Sequence, residues 1–470
     1  MRSFFVFLIA GLLASSAGHA QKKWTLQQCI DTALANNIPL KQTALLVETE
    51  NINRKQARLN LLPAASGSIS HGINQGRSID PFTNGYINQR VGYGSYNLGS
   101  NVVLFNGLSM QKSIRQFALS YQAAESDLQQ ARDNLMLDVI LAYLQVLNDE
   151  DRLSLSARQR GVSRNQLDRL QILDKEGAIS PSEVSDIRGQ LMDAELSVVN
   201  SRNALESSRL ALTQLMNIPY NKTMQLERID MAELAATYPA TPDEIYRKAL
   251  DQLALVRSAS LKTQSAQAAV QAIRGQLFPS LVLSGSATTN YSSAASKDIL
   301  LSSSFITTPD YVILNGAQVP VVSKQSTFSS EKIAYRSQLG NNIFSSINVG
   351  LRIPLFNSSL VRNQIRQARI VVRNNELIEE NTRIQLRQQI EQAYLNMTNA
   401  LDRYKVLQEQ VDAYTQSFKA AEVRFNAGVG TSVDYTIAKN NLDRSTTNLV
   451  NARYDFLLRK KVLDYYFGAM

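Results

Sequence analysis

The chain has 470 residues and a formal net charge of +9, from 49 lysines and arginines against 40 aspartates and glutamates. It contains one cysteine and two histidines, which excludes a disulfide framework and a cysteine-based zinc site. His19 falls in a predicted leader, so a histidine-dependent triad or metal centre would have to rest on His71 alone. We therefore predict no catalytic residue, no metal and no cofactor.

Residues 1–20 have the pattern of a secretory signal peptide. Arg2 supplies a positive charge, residues 4–13 form an apolar run, and small residues precede the expected cleavage at Gln21. The run is too short for a transmembrane helix, which needs about 20 residues. We expect an exported protein without an α-helical membrane span. Export, and the mixing of basic with acidic residues along the chain, argue against a nucleic-acid partner.

The chain contains an internal sequence repeat with two copies. The Leu-Phe-Asn string at 104–106 recurs at 355–357, an offset of 251 residues, and Gly177 corresponds to Gly428 at the same offset. Farther upstream the offset between matching positions is 216, so the second copy carries an insertion of 35 residues. We assign the insertion to the Ser/Thr-rich stretch 292–340 and interpret that stretch as a long loop.

Each copy is predicted to contain a helix, a strand pair, a long helix and a returning helix. Prolines stop the first helix of each copy, period-2 alternation marks the strands, and apolar residues three and four apart mark coiled-coil helices. The first repeat is 21–240, with a helix at about 26–61, strands within 64–104, a helical hairpin at 108–216 and a linker at 217–240. The second is 241–470, with a helix at about 243–277, strands within 280–355 and a hairpin at 358–467. The predicted fold class is mainly α with a small β part.

The edge strands of the predicted sheet need hydrogen-bond partners for their unpaired N–H and C=O groups. Four strands with an apolar face suggest an outer-membrane barrel, but the smallest such barrels have about eight strands. Because lipid does not tolerate open strand edges, closure requires several chains, and three would supply twelve strands. The alternative is an ordinary β layer packed on helices.

Three segments resemble the TolC-type outer-membrane efflux protein family: residues 24–37 (WTLQQCIDTALANN), 349–357 (VGLRIPLFN) and 424–435 (RFNAGVGTSVDY). The resemblance covers nearly the whole mature chain. It implies a homotrimer with a shared twelve-stranded barrel in the outer membrane and an α-helical tunnel in the periplasm. Such a protein is not an enzyme. It is a passive exit duct of a tripartite efflux pump or a type I secretion system, and it works with a periplasmic adaptor and an inner-membrane transporter.

The resemblance also implies roles for residues at the helical hairpin turns. The family lines its periplasmic constriction with acidic residues, and Asp434 matches the first acidic position. The second is Ile437 here, whereas the first copy has Glu183 and Asp186 at the corresponding positions. We expect Glu183, Asp186 and Asp434 to form a cation-binding collar; alternatively, Glu183 only favours a helix N-terminus. The expected adaptor contacts are Gly177, Ser180, Pro181, Gly428, Gly430 and Thr431.

Two other functions stay open from the sequence alone. The first is an exported periplasmic coiled-coil structural or adaptor protein, in which the strands form a packed layer. The second is an outer-membrane enzyme, which is disfavoured because the sequence offers no set of residues that would form a catalytic site. The resemblance to the efflux family implies that residues 75–89 and 292–340 are extracellular, and it makes outer-membrane lipid an expected partner of the protein.

Overall fold

A computed structural model describes residues 23–80, 84–177, 179–229 and 238–469. The predicted signal peptide lies outside these residues, as does part of the predicted linker. The fold is mainly helical with a small β part, which confirms the predicted class at this level. The described residues divide into two units: a helical unit within 1–52, 118–266 and 371–470, and a sheet unit within 53–117 and 267–370.

The described residues of the first half of the chain form four helices and four strands. They are α1 (Leu26–Asn36), α2 (Ile38–Leu59), β1 (Ala64–Asn74), β2 (Arg77–Ile79), β3 (Tyr86–Asn88), β4 (Val91–Asn106), α3 (Ser109–Lys175) and α4 (Pro181–Leu215). The 67 residues of α3 span about 100 Å at the helical rise.

The second half has the same order with additions between its strands. It contains α5 (Pro242–Gln252), α6 (Ala254–Gly275), β5 (Ser280–Ser292), β6 (Ser296–Leu314), β7 (Ala317–Lys332), α7 (Tyr335–Asn341), β8 (Phe344–Arg352), α8 (Leu360–Asn426) and α9 (Ser432–Phe467). Helix α8 also has 67 residues. Among the described residues, no helix combines the length and the apolar composition needed to cross a bilayer.

The single helix predicted at the start of each copy is wrong, because each is two helices. Asn37 is extended, with ψ 119°, and its side-chain oxygen accepts a hydrogen bond from the Leu40 N–H at 3.0 Å. Asn37 therefore ends α1 and caps α2. Leu253 is also extended, with ψ 129°, and separates α5 from α6. Both copies begin with a capping box, at Thr25 and at Thr241.

The sheet unit contains a four-stranded antiparallel sheet in the order β1-β4-β5-β8. Its register places apolar side chains on one face: Ile69, Tyr96, Leu98, Val102, Leu283, Ile347, Val349 and Leu351. The other face is mainly polar: Ser68, Ser70, Asn97, Asn101, Ser284, Ser286 and Asn348. The apolar face is open, since Ile347 is 82% exposed and Ile69 is 77% exposed.

The loop predicted at 292–340 is also wrong. Strands β6 and β7 pair from Ser296↔Lys332 to Leu314↔Ala317 and form a two-stranded sheet of their own. Asn315 and Gly316 have positive φ values of 51° and 83°, as a two-residue primed hairpin turn requires. Consecutive serines and threonines, as at 302–304, 307–308 and 326–327, interrupted the alternation of apolar and polar residues and concealed the strand pattern in the sequence.

The helical unit has two similar cores, one for each copy. In the first, Cys29 and Tyr143 are fully buried, and the Tyr143 hydroxyl donates to the Glu227 carbonyl at 2.6 Å and lies 3.0 Å from the Trp24 carbonyl. The second core contains Ile245, Leu386, Ile390, Met397, Phe456 and Leu463. These cores join the short helices to the long hairpins and fix the position of each hairpin.

Candidate functional site: the helical hairpin turns

The α3–α4 and α8–α9 turns share one backbone plan. Gly177 and Gly428 follow the ends of the long helices with φ values of 72° and 74°, in the left-handed region that favours glycine. Residue Ser180 precedes α4 and Thr431 precedes α9, each in an extended conformation. Pro181 occupies the first turn of α4, where its missing N–H costs nothing.

Side chains bring the two turns together within the helical unit. The Ser432 hydroxyl donates to Glu183 Oε2 at 3.2 Å, and the Gln190 amide donates to Thr436 Oγ1 at 3.5 Å. Phe425, at the end of α8, packs against a buried cluster of Leu167, Leu170, Val184, Ile187 and Leu191. Residues far apart in the sequence therefore form one assembled tip.

Aromatic contacts reinforce this tip. The ring of Tyr435 lies 5.1 Å from the ring of Phe425 and 5.3 Å from that of Phe418. The guanidinium carbon of Arg169 lies 5.6 Å from the centre of the Phe425 ring, and Arg169 also donates to the Asn426 side chain. Burial raises the pKa of the Tyr435 hydroxyl to about 12, so it is neutral at physiological pH.

The three predicted collar acids have different surroundings. Glu183 is half-buried and accepts the hydrogen bond from Ser432. Asp434 is exposed, and its carboxylate accepts from the Thr431 hydroxyl at 2.8 Å, while the Asp434 N–H donates back to Thr431 at 3.1 Å. Asp186 is exposed. Glu183 and Asp434 each lie in the first turn of a helix, where the helix dipole favours a negative charge. The collar stays a prediction.

The predicted adaptor contacts lie at the same tip, and the sequence reasoning missed their apolar neighbours. Val429 is 77% exposed, Val433 is 63% exposed and Ile437 is 55% exposed. Their signal in the sequence was apolar residues on both sides of a glycine turn, where a solvated turn would carry polar ones. An exposed apolar group of this kind is typical of a protein contact.

A polar cavity between α3, α4 and α9 was also missed. Its volume is about 350 Å³, and its lining includes Ser156, Gln159, Ser163, Gln190, Asp193, Lys439 and Asp443. The Lys439 side chain is only 7% exposed, and its ammonium lies 2.5 Å from Asp443 Oδ2. Helix α9 therefore contributes a buried lysine, paired with a partly exposed aspartate, to the interface between the hairpins.

An open, two-faced sheet and duplicated long helical hairpins with matched turns define a class of channel-forming chains. The sequence matches the outer membrane efflux protein family over residues 29–217 and 245–469. The chain belongs to this family. The predicted resemblance and the predicted outer-membrane location are thereby confirmed.

Relatives and solved structures agree with this assignment. The chain is 22% identical over 470 residues to outer membrane protein TolC of Salmonella enteritidis, covering 98% of this chain and 86% of the relative. It is 21% identical over 458 residues to TolC of Escherichia coli K12, covering 96% and 84%. A crystal structure of CusC has the same fold, with a TM-score of 0.76 at 14% identity, covering 95% and 92%. The Campylobacter jejuni CmeC outer membrane channel has a TM-score of 0.75 at 16% identity, covering 94% and 85%.

Proposed function

We propose that this chain is the outer-membrane exit duct of a tripartite efflux pump or a type I secretion system. Three copies would share one β-barrel, and their helical hairpins would form a tunnel in the periplasm. The family assignment supports an efflux function in the outer membrane, and none of the comparisons favours the alternative of a periplasmic coiled-coil adaptor. The proposed trimer and its shared barrel are argued from the four-stranded sheet.

One observation carries the assembly: the sheet is amphipathic and open at both edges. Among the described residues, no strand pairs with the outer edge of β1 or of β8. Unpaired edges are not tolerated in lipid, and four strands cannot close on themselves. Joining β8 of one copy to β1 of the next satisfies both edges, and three copies give twelve strands.

The two faces of the sheet then acquire separate roles. The apolar face contacts lipid, and the serine- and asparagine-rich face lines a water-filled lumen. A lumen of this chemistry is a conduit with little specificity of its own. The cargo would therefore be selected by the inner-membrane transporter, and energy for export would come from the same partner.

The hairpin tip is the proposed contact for the periplasmic adaptor. Gly177, Gly428 and Gly430 shape the two turns, while Val429 and Val433 supply exposed apolar surface beside them. Contact with an adaptor at this tip would separate the hairpins and open the duct. The Ser432–Glu183 hydrogen bond is one of the contacts that such an opening would have to break or move.

A matched pair of substitutions on β8 tests this function. Val349 lies on the apolar face opposite Leu283, and its neighbour Asn348 lies on the polar face opposite Ser284. We expect Val349→Lys to abolish outer-membrane assembly, because a lysine on the lipid face costs about 2–4 kcal/mol per copy near the bilayer centre. Asn348→Lys should assemble and lower the cation conductance of single channels.

Membrane fractionation, light scattering of the detergent-extracted protein and planar-bilayer recording read out these effects. A particle of three chains is expected for the unchanged protein and for Asn348→Lys. Equal tolerance of both lysines, or a particle of one chain, would contradict the shared barrel.

A further inference from the structure

The β6–β7 hairpin is a long structure without a covering layer. The 19 residues of β6 extend over about 60 Å, and no third strand joins the hairpin among the described residues. Nearly every residue of both strands is exposed. An isolated two-stranded hairpin is at best marginally stable in water, so a hairpin of this length calls for further contacts.

The polarity of the hairpin changes along its length. We define the tip as residues 311–322, and the sequence has no charged residue between Asp310 and Lys324. Within the tip, Tyr311 is 54% exposed, Ile313 is 66% exposed and Val322 is 57% exposed. Charges lie nearer the base, where Lys297 and Glu331 form an ion pair of 3.2 Å.

The base of the hairpin is firmly attached to the sheet unit. Gln338 of α7 is buried, and its side-chain oxygen accepts from the Ser292 N–H at 2.9 Å. Its amide donates to the Ser292 carbonyl at 3.0 Å and to the Ile333 carbonyl at 2.9 Å. The Ile333 N–H in turn donates to the Ala295 carbonyl at 3.1 Å. These hydrogen bonds hold together the strand ends on both sides of the hairpin. The base of the hairpin is therefore fixed to the sheet unit.

Neither water nor lipid is a suitable environment for the tip. In water, its apolar side chains, which lie on both faces of the hairpin, would remain exposed. In lipid, the apolar side chains would be accommodated, but the two unpaired strand edges would not. A protein surface satisfies both requirements, because it can cover apolar side chains and pair with strand edges.

We propose that the tip packs against the same tip of the other copies in the assembled protein. This inference rests on the proposed homotrimer, in which every copy carries an identical hairpin from the same position of a shared sheet. Attachment to one assembly makes the local concentration of tips high, so modest contacts are sufficient. Uncharged tips can meet without repulsion, whereas the charged bases stay apart in water.

Cysteine cross-linking tests the contact. Val319 in the tip and Ser329 near the base are both exposed, and they lie on the same face of β7 because they are ten residues apart. Single variants Val319→Cys and Ser329→Cys are treated in detergent with a short bis-maleimide. The native Cys29 is fully buried, and burial raises the pKa of its thiol to about 12, so it does not react at neutral pH.

We expect a covalent dimer on denaturing gels for Val319→Cys and a monomer for Ser329→Cys. Adding Val312→Lys to the Val319→Cys variant should reduce the dimer several-fold, because exposed Val312 pairs directly with Val319 and lies on the same face, so its lysine would enter the tip contact. Light scattering of each sample measures the number of chains in the particle.

The outcomes separate this inference from the function on which it rests. A three-chain particle without a Val319→Cys dimer overturns the tip contact and leaves the duct intact, as does equal cross-linking at both positions. A dimer that disappears on dilution reports collisions between particles and also overturns the contact. A one-chain particle overturns both proposals.

Discussion

At the scale of single residues, the turns that precede the two long helices carry glycine in the first copy and serine in the second at one matched position of positive φ. Gly107 has a φ of 66°, and a Cβ there would clash with the Gly275 carbonyl oxygen and lie 2.7 Å from the Phe278 Cβ. The corresponding residue of the second copy is Ser358, which has a φ of 52°. One turn therefore excludes a side chain, and the other accepts one at the cost of a left-handed conformation.

Opposite substitutions at these positions should have unequal effects. Gly107→Ala should lower the free energy of unfolding by about 2–4 kcal/mol, because it adds both a clash and backbone strain. Ser358→Gly should change it by less than about 1 kcal/mol, since relief of strain offsets the greater entropy of the unfolded glycine. Denaturant titration of the detergent-extracted protein measures both values. A loss at Gly107 no larger than the change at Ser358 would contradict the close approach to Gly275.

At the scale of elements, substitutions of the two partners in the Lys439–Asp443 ion pair of α9 should differ in their effect on stability. Asp443→Ala leaves the Lys439 ammonium buried without its partner, so we expect a loss of about 3 kcal/mol in the free energy of unfolding. Lys439→Met removes the buried charge and leaves Asp443, whose side chain is 28% exposed, in contact with water. We expect that variant to lie within about 1 kcal/mol of the parent protein. Denaturation followed by circular dichroism measures the free energy of unfolding of both variants. Equal losses for Asp443→Ala and Lys439→Met would contradict the idea that an unpaired, buried lysine is what destabilises the protein.

The same elements show which parts of the fold could be predicted. Proline stops and the spacing of apolar residues indicated the order of helices and strands, because each signal is local. The break at Leu253 was not predictable, since leucine favours helices and has no side-chain acceptor that would mark a helix cap. The contact of Ser432 with Glu183 joins residues 249 positions apart and depends on how two hairpins pack, for which one sequence has no local signal.

At the scale of the whole molecule, the acidic residues beside the helical hairpin turns should control ion flow through the assembled duct. Three copies would bring three each of Glu183, Asp186 and Asp434 to a narrow opening, where clustered carboxylates attract cations. We expect Mg²⁺ to block single-channel current of the parent protein, and the triple variant Glu183→Gln, Asp186→Asn, Asp434→Asn to lose most of that block. The amide at 434 can still accept from the Thr431 hydroxyl, so the cap of α9 is kept. Asp412→Asn, at an exposed position on α8, is the control for the loss of a negative charge elsewhere. If Mg²⁺ blocks the triple variant and the control as strongly as the parent, these acids serve only the helix N-termini at which Glu183 and Asp434 lie.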